Sequence, residues 1–240
     1  MLKNNANIQA RKRTANLHLN RSIELLQLQC ATQQAPNSIP SARLKKDYST
    51  LHKLTIMANA VLDNVLNGLM TRYKERVPDV AAVINALINE NVITNPAEIE
   101  NDHIAFRTIG VPFLGIQSLE KIFLHYGYKR MDHYFFPAKK LDAYWYAPPS
   151  AEYPRIFISE LRVNELSENA QKIIHSYTDE VTVDPVDSID LDDSNTVDQF
   201  LHSGLWRLPT VEDYKTLSAE TEYAAWVIYN RYYLNHFTVS

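Results

Sequence analysis

Two of the eight histidines, His103 and His236, share a setting: each follows a short polar residue, Asp102 or Asn235, and each lies in a stretch of strand-like alternation. Imidazole binds iron, zinc, copper or nickel. Two histidines and one carboxylate make the facial triad of non-haem iron(II) oxygenases, which leaves positions open for substrate and oxygen. Singly, each histidine is more commonly a satisfied core or edge residue; as a pair they are a candidate metal site. Glu160, in Phe157-Ile-Ser-Glu-Leu161, has mostly apolar neighbours, where a carboxylate needs a metal or a cation. It reads either as the third ligand or as a glutamate paired with Arg107 or Arg155. Arg107 stands four residues after His103, on the same face of a period-two strand. Its forked guanidinium either clamps a carboxylate ligand through two parallel hydrogen bonds or closes a structural salt bridge.

Other groups carry weaker signals. His125 and His133 stand beside aromatic residues and read as packing or surface positions. Lys139 and Lys140 sit in a turn, where lysines are usually solvated, and Tyr144, Trp145 and Tyr146 fit core packing better than ligand stacking. The aspartates between Asp184 and Asp198 alternate as in a calcium loop, but the glycine that such a loop needs at its sharp turn is missing. They read as a solvated surface loop. No glycine-rich phosphate cradle, dinucleotide fingerprint or nucleophile elbow is present.

The elements that must position these groups follow from periodicity. Leu54, Met57, Val61, Leu62, Val65, Leu66 and Leu69 form one apolar stripe of a helix that ends before Pro78. A second helix is expected with Val80, Val83, Ile84, Leu87 and Ile88 on its buried side. His103 to Thr108 alternates as a strand, with Ile104 and Phe106 on the face opposite His103, Ala105 and Arg107. A helix from Ile116 to Tyr126 closes on Gly127, and strands follow at Tyr128–Phe136, Leu141–Ala147 and Arg155–Leu161. The order is βαβββ, the unit of vicinal-oxygen-chelate enzymes, in which two such units enclose one metal. Further helices are expected from Ser167 to Tyr177 and from Val211 through Trp226. The segment from Tyr232 to Ser240 alternates like a buried strand, the first of a second, incomplete unit. The fold class is therefore α+β, with N-terminal helices before the βαβββ unit.

The totals set bounds on this reading. The 240 residues carry a net charge of −4, 45% hydrophobic residues and one cysteine, Cys30. One cysteine forms no internal disulfide, which points to a reducing, intracellular setting. No apolar run reaches the roughly 20 residues that a membrane-spanning helix needs, so a soluble protein is expected, with no membrane partner. Residues 1–46 hold eight Lys or Arg against Glu24 alone, so the remainder is strongly acidic and ill-suited to nucleic acid. That basic start reads as a disordered tail or an organelle-targeting segment for plastid or mitochondrion, with the folded domain in residues 47–240.

Five motifs stand in one order: Asp102-His-Ile-Ala-Phe-Arg-Thr108, Phe136-Pro-Ala-Lys-Lys140, Arg155-Ile-Phe-Ile-Ser-Glu-Leu161, Glu222-Tyr-Ala-Ala-Trp226 and Asn235-His-Phe-Thr238. From about Ala60 to Ser240 the sequence resembles the 2-oxoadipate dioxygenase/decarboxylase family, or hydroxyglutarate synthases, in its plant and algal form. The resemblance implies Fe(2+) as cofactor, and dioxygen and a 2-oxo acid as small-molecule partners. It also implies conversion of 2-oxoadipate to 2-hydroxyglutarate with release of carbon dioxide, in lysine breakdown. On that pattern His103 and His236 are metal ligands, Arg107 binds substrate and Glu160 lies outside the first ligand shell. The family's third ligand is a glutamate in a strand beyond Asn-His-Phe-Thr, and this chain stops two residues after Thr238. Two further readings stay open: a non-catalytic remnant of the fold, and a glyoxalase-type isomerase or lyase using His103, Glu160 and His236.

Overall fold

The computed structural model of the chain describes residues 60–239. The expected N-terminal tail and the boundary of the folded domain at residue 47 lie outside those residues. The first described helix, α1, covers residues 60–76, and its stripe is buried where the apolar spacing requires, at Leu62, Val65 and Leu69. Beyond Pro78, α2 (Asp79–Asn89) departs from expectation: none of its residues is buried, and Val83 is 58% exposed. The rest of its apolar period, Val80, Ile84, Leu87 and Ile88, is half-buried.

Five strands form one sheet: β1 (Asn101–Ile109), β2 (Lys129–Phe136), β3 (Leu141–Ala147), β4 (Arg155–Leu161) and β5 (His236–Val239), ordered β2-β3-β4-β1-β5. β1 runs parallel to β4, and the other pairs are antiparallel. The crossover needed between parallel strands contains α3 (Ile116–His125) and the β2–β3 hairpin. This is the expected βαβββ unit. Gly127 ends the α3 segment at φ 87°, a left-handed conformation that costs glycine nothing. The C-terminal strand is corrected in one respect. β5 is a partly exposed edge rather than a buried strand, and its partner is β1 of the same unit.

One sheet face is packed along its length, while the other is packed at Ile109 and Leu161 and opens toward His103. On the packed face, Ile116, Leu119, Ile122 and Phe123 of α3 cover Ile104, Phe106, Ile156, Ile158 and Tyr146. Phe106 and Phe123 pack with ring centroids 5.3 Å apart. Burying these side chains contributes about 1.5–3 kcal/mol each, which makes this layer the main apolar anchor of the unit. Glu160 belongs to this packed side. Its Oε2 accepts a hydrogen bond of 2.7 Å from the backbone N–H of Ile116, in the first turn of α3. Gly115 permits that approach, since a Cβ there would come within 2.0 Å of Glu160 Oε2.

The helices α4 (Glu168–Thr178), α5 (Ser194–Leu201), α6 (Val211–Glu220) and α7 (Glu222–Asn230) complete the layer structure. The single helix expected from Val211 through Trp226 is two, broken where Thr221 turns extended. The aspartate-rich stretch is also more ordered than a solvated loop. Asp184 accepts hydrogen bonds from Ser118 Oγ and Lys121 Nζ, at 2.7 and 2.9 Å. Asp193 caps α5, and Asp198 grips Arg72 of α1 through two guanidinium nitrogens. Short carboxylates accept hydrogen bonds from nearby N–H groups and so act as caps, which explains their alternation without a bound ion.

Burial pushes the Glu160 carboxyl above its ordinary pKa, against the Ile116 hydrogen bond, and Asp142 adds to the rise. The folded state therefore holds this proton more tightly than the unfolded chain. The resulting contribution to stability is full below the ordinary glutamate range and is lost as pH rises through the folded-state value. Glu160→Gln, neutral at every pH, should melt as high as or higher than the native protein near neutrality. The difference should shrink as calorimetric scans move below about pH 4.3. A Gln variant that gains relative stability on acidification would contradict this account.

Candidate functional site

The open face of the sheet carries the reactive side chains. Alternation along β1 places His103, Ala105 and Arg107 there, while Ile104 and Phe106 enter the core. β5 then sets His236 opposite Ala105 and Thr238 opposite His103. Neighbouring strands lie about 4.8 Å apart, so this register brings the two imidazoles together. Their ring centroids are 5.7 Å apart at an interplanar angle of 78°. Nitrogen ligands sit about 2.0–2.2 Å from a divalent metal, by analogy with zinc, and this separation suits two rings that share one ion.

The polar neighbours noted in the sequence hold the inner nitrogen of each ring. His103 Nδ1 lies 2.9 Å from Asp102 Oδ2 and 2.8 Å from Thr238 Oγ1, and His236 Nδ1 lies 2.8 Å from Asn235 Oδ1. With the proton on Nδ1, donated to the oxygen, each Nε2 keeps a lone pair. The His103 hydrogen bond lowers the Asp102 pKa, and Arg155, 3.5 Å away, adds to the effect. Desolvation, then the neighbouring His103 and Arg107, hold the His236 pKa below its ordinary value. A neutral imidazole with a free lone pair is the form that binds metal.

Arg107 forms no ion pair and no side-chain hydrogen bond among the described residues. Its guanidinium instead lies over two aromatic rings, 5.0 Å from the Tyr223 centroid and 5.2 Å from that of Trp226. The structural salt bridge is thus excluded within this region. Tyr223 is itself fixed: its hydroxyl bonds Ser159 Oγ and both the N–H and the C=O of Thr108. Burial raises its pKa, so the phenol stays protonated. Arg107 is left with five N–H donors held on an aromatic platform, an arrangement that receives an anion.

These groups line one cavity of about 690 Å³, walled by Tyr134, Phe136 and Phe157 and bordered by Ser159, Lys139, Lys140, Glu220 and Glu222. Phe157 sets its ring against His103, centroids 4.9 Å apart. Tyr223, Ser159 and the two lysines had drawn no functional weight from the sequence. Ser159 shares strand parity with Phe157, and Tyr223 belongs to the Glu222–Trp226 motif, so both carried a faint signal.

Glu160 is corrected as an alternative ligand and as a group that contacts the pocket, while its place outside the ligand shell agrees with the family pattern. β1 and β4 are paired so that Arg107 faces Ser159 and Thr108 faces Glu160. Glu160 is therefore on the packed side of the sheet, away from the histidines, and borders a different cavity of about 570 Å³. It cannot join His103 and His236 on one ion, it does not support the pocket they line, and it pairs with neither Arg107 nor Arg155. The glyoxalase-type reading, which needed Glu160 as ligand, falls with it. No cluster of three or more His, Cys, Asp or Glu side chains suited to a metal occurs among the described residues. His125 and His133 form exposed pairs with Asp192 and Asp142. Tyr146 is buried and bonds Glu120.

Comparison with known proteins is specific. The profile of the family described as 2-oxoadipate dioxygenase/decarboxylase matches residues 65–240. A chloroplastic 2-oxoadipate dioxygenase/decarboxylase of Arabidopsis thaliana is 36% identical over 196 residues, which cover 77% of this chain and 50% of the relative. The chain thus spans about half the length of that protein. The crystal structure of hydroxyglutarate synthase from Oryza sativa in complex with 2-oxoadipate superposes with a TM-score of 0.65 at 30% identity, over 87% of this chain and 63% of the other. A glyoxalase superfamily protein from Ralstonia eutropha JMP134, 19% identical with a TM-score of 0.56 over 76% of this chain and 62% of its own, shares the fold. The match covers β1, β4 and β5, the strands that carry the histidine pair and Arg107, and with it the chain belongs to the 2-oxoadipate dioxygenase/decarboxylase family.

Proposed function

We propose that this chain supplies two metal ligands and the substrate clamp of an iron(II)-dependent oxygenase. That enzyme converts 2-oxoadipate and dioxygen to 2-hydroxyglutarate and carbon dioxide, in lysine catabolism. One observation carries the reading: an arginine without an acidic partner among the described residues shares a cavity with two imidazoles whose Nδ1 atoms are engaged and whose Nε2 atoms are left over. The donor set fits a divalent metal of the iron–zinc series, and a 2-oxo acid brings the anion that the guanidinium lacks. When bound, iron supplies a Lewis-acid centre and the redox partner that dioxygen requires.

The residues of the chain have separate tasks. His103 and His236 offer Nε2 lone pairs, oriented by Asp102, Thr238 and Asn235. Arg107 receives a substrate carboxylate through two parallel N–H donors and fixes how the acid lies across the cavity. Tyr223 and Trp226 hold the guanidinium in place without neutralising it, as a carboxylate would. Tyr134, Phe136 and Phe157 wall the space and limit water, which strengthens each charged contact inside it. The family relation and the rice complex with 2-oxoadipate support this substrate. The chloroplastic relative and the basic, acid-poor start of the chain support a plastid address.

Anaerobic iron(II) titration followed by calorimetry tests the assignment. His103→Ala and His236→Ala should each weaken iron binding by about a hundredfold or more, since each removes a primary donor. Asp102→Asn should cost about tenfold through the ring it orients. Iron affinity that survives both alanine changes would end the reading. Arg107→Lys should weaken 2-oxoadipate binding by roughly tenfold and leave iron affinity unchanged, because an ammonium cannot reproduce the parallel fork. Equal loss of both would make Arg107 a support for the histidine pair.

A further inference from the structure

Arg231 stands where the chain passes from α7, which carries Tyr223 and Trp226, toward Asn235 and His236 of the site. Its backbone adopts φ 56° and ψ −128°. It occupies the first central position of a turn that the Tyr233 N–H closes on the Asn230 C=O at 3.2 Å. That is the type II′ geometry, whose first central residue is ordinarily glycine. A side chain there strains the backbone, because φ is positive. Burial adds a second cost. Arg231 is 7% exposed, and its Nε finds no acceptor among the described residues. Strain and burial together disfavour arginine at this position unless the guanidinium performs a task.

That task is to fasten the turn. Arg231 Nη2 donates to the Trp206 C=O at 2.7 Å, and Trp206 Nε1 donates in return to the Ile228 C=O at 2.9 Å. The loop after α5 and the end of α7 thus hold each other. Gly204 makes room for the arrangement, since a Cβ there would lie 3.2 Å from Arg231 Cζ. The residues that follow continue the fastening. The Tyr232 hydroxyl donates to the Leu114 C=O, and the Tyr233 hydroxyl to the His202 C=O. The Asn235 N–H then bonds the Ala105 C=O at 2.9 Å. Each of these contacts ends on a backbone carbonyl, so the path from α7 into β5 is fixed from several directions. His236 needs that support. β5 has four residues, lies at the sheet edge and pairs with β1 alone, whereas His103 lies in a strand paired on both sides. A short edge strand opens readily, so its placement depends on how the chain enters it.

The structure assigns to Arg231 the setting of His236: it is a positioning residue that fixes the entry of β5 and so keeps one metal donor in line with the other. This rests on the proposed metal-binding role of the histidine pair and adds to it a buried residue on which the pair depends. Because α7 carries Tyr223 and Trp226, the same turn ties the aromatic platform of Arg107 to the donor on β5. Glycine at position 231 would suit the turn better and hold the strand worse.

The test is backbone hydrogen exchange on the full chain without metal, read beside anaerobic iron(II) titration. Arg231→Gly relieves the turn and removes the guanidinium, so it should still melt cooperatively. In that variant β5 should exchange about tenfold faster or more, the scale of one lost charge-assisted hydrogen bond, while β4 keeps its native rate. Iron(II) binding should weaken by about tenfold, as when a contact that orients a ligand is removed. Gly204→Ala, which crowds the same guanidinium, should give the same pattern on a smaller scale. Arg231→Lys keeps a donor on a long stem and should recover part of both losses. A merely structural role would instead speed exchange in β4 and β5 alike. Such a uniform rise overturns the proposal, as does native exchange in β5, or native iron affinity in a variant whose β5 exchanges faster. Should Arg231→Gly fail to melt cooperatively, the same readings on Gly204→Ala decide. If the native protein binds no iron, the proposed function falls, and the exchange rates still decide whether Arg231 holds β5.

Discussion

The site depends on β1 being clamped between two partners of opposite direction. β4 pairs with it in parallel from His103 to Ile109, β5 pairs antiparallel as far as Ala105, and beyond that the Tyr223 hydroxyl takes the N–H and C=O of Thr108. A strand held in this way cannot slip, and a slip of one residue would exchange its two faces. That exchange would drive His103 and Arg107 into the packed layer and expose Ile104 and Phe106. The apolar contacts of Ile104 and Phe106 with α3 are therefore what aim the reactive side chains outward. Packing on one side of the sheet fixes chemistry on the other.

The same economy governs the polar groups. Each imidazole takes its orientation from the residue just before it, so strand geometry alone brings ring and orienter together. Arg107 is placed by aromatic faces instead of acids, which keeps its charge in use. Tyr223 shows why this matters. Its hydroxyl is spent on Ser159 and on the Thr108 backbone, which fixes the ring without placing an acceptor where it would compete for the guanidinium. Glu160 illustrates the opposite disposition. It is a carboxylate of the same unit that serves the first turn of α3, and its cost of burial falls on stability rather than on the site.

The open cavity face also explains the uneven surface of the unit. β2 is exposed along its whole length, with Met131, Tyr134, Phe135 and Phe136 each more than a third accessible. β5 is a thin edge, and the cavity lies between these two margins of the sheet. The cavity on this face is lined by charged, aromatic and imidazole groups.

Much of this was readable from the residues in order. The βαβββ sequence, the α3 stop at Gly127, the two faces of β1 and the alliance of each histidine with its polar neighbour follow from period, caps and spacing, all of which are local. The family motifs pointed to the His103, Arg107 and His236 constellation as well. What the residue order could not decide was register between strands distant in sequence. Glu160 is one position from Ser159, and only the β1–β4 alignment shows which of the two faces the histidines. The lysine turn looked solvated because nothing local says that it borders a cavity formed by residues far from it in sequence. The exposed side of α2, the break at Thr221 and the capping work of the aspartates were hidden for the same reason. Periodicity records which side of an element is apolar, whereas the partner that side meets is chosen by the folded chain as a whole.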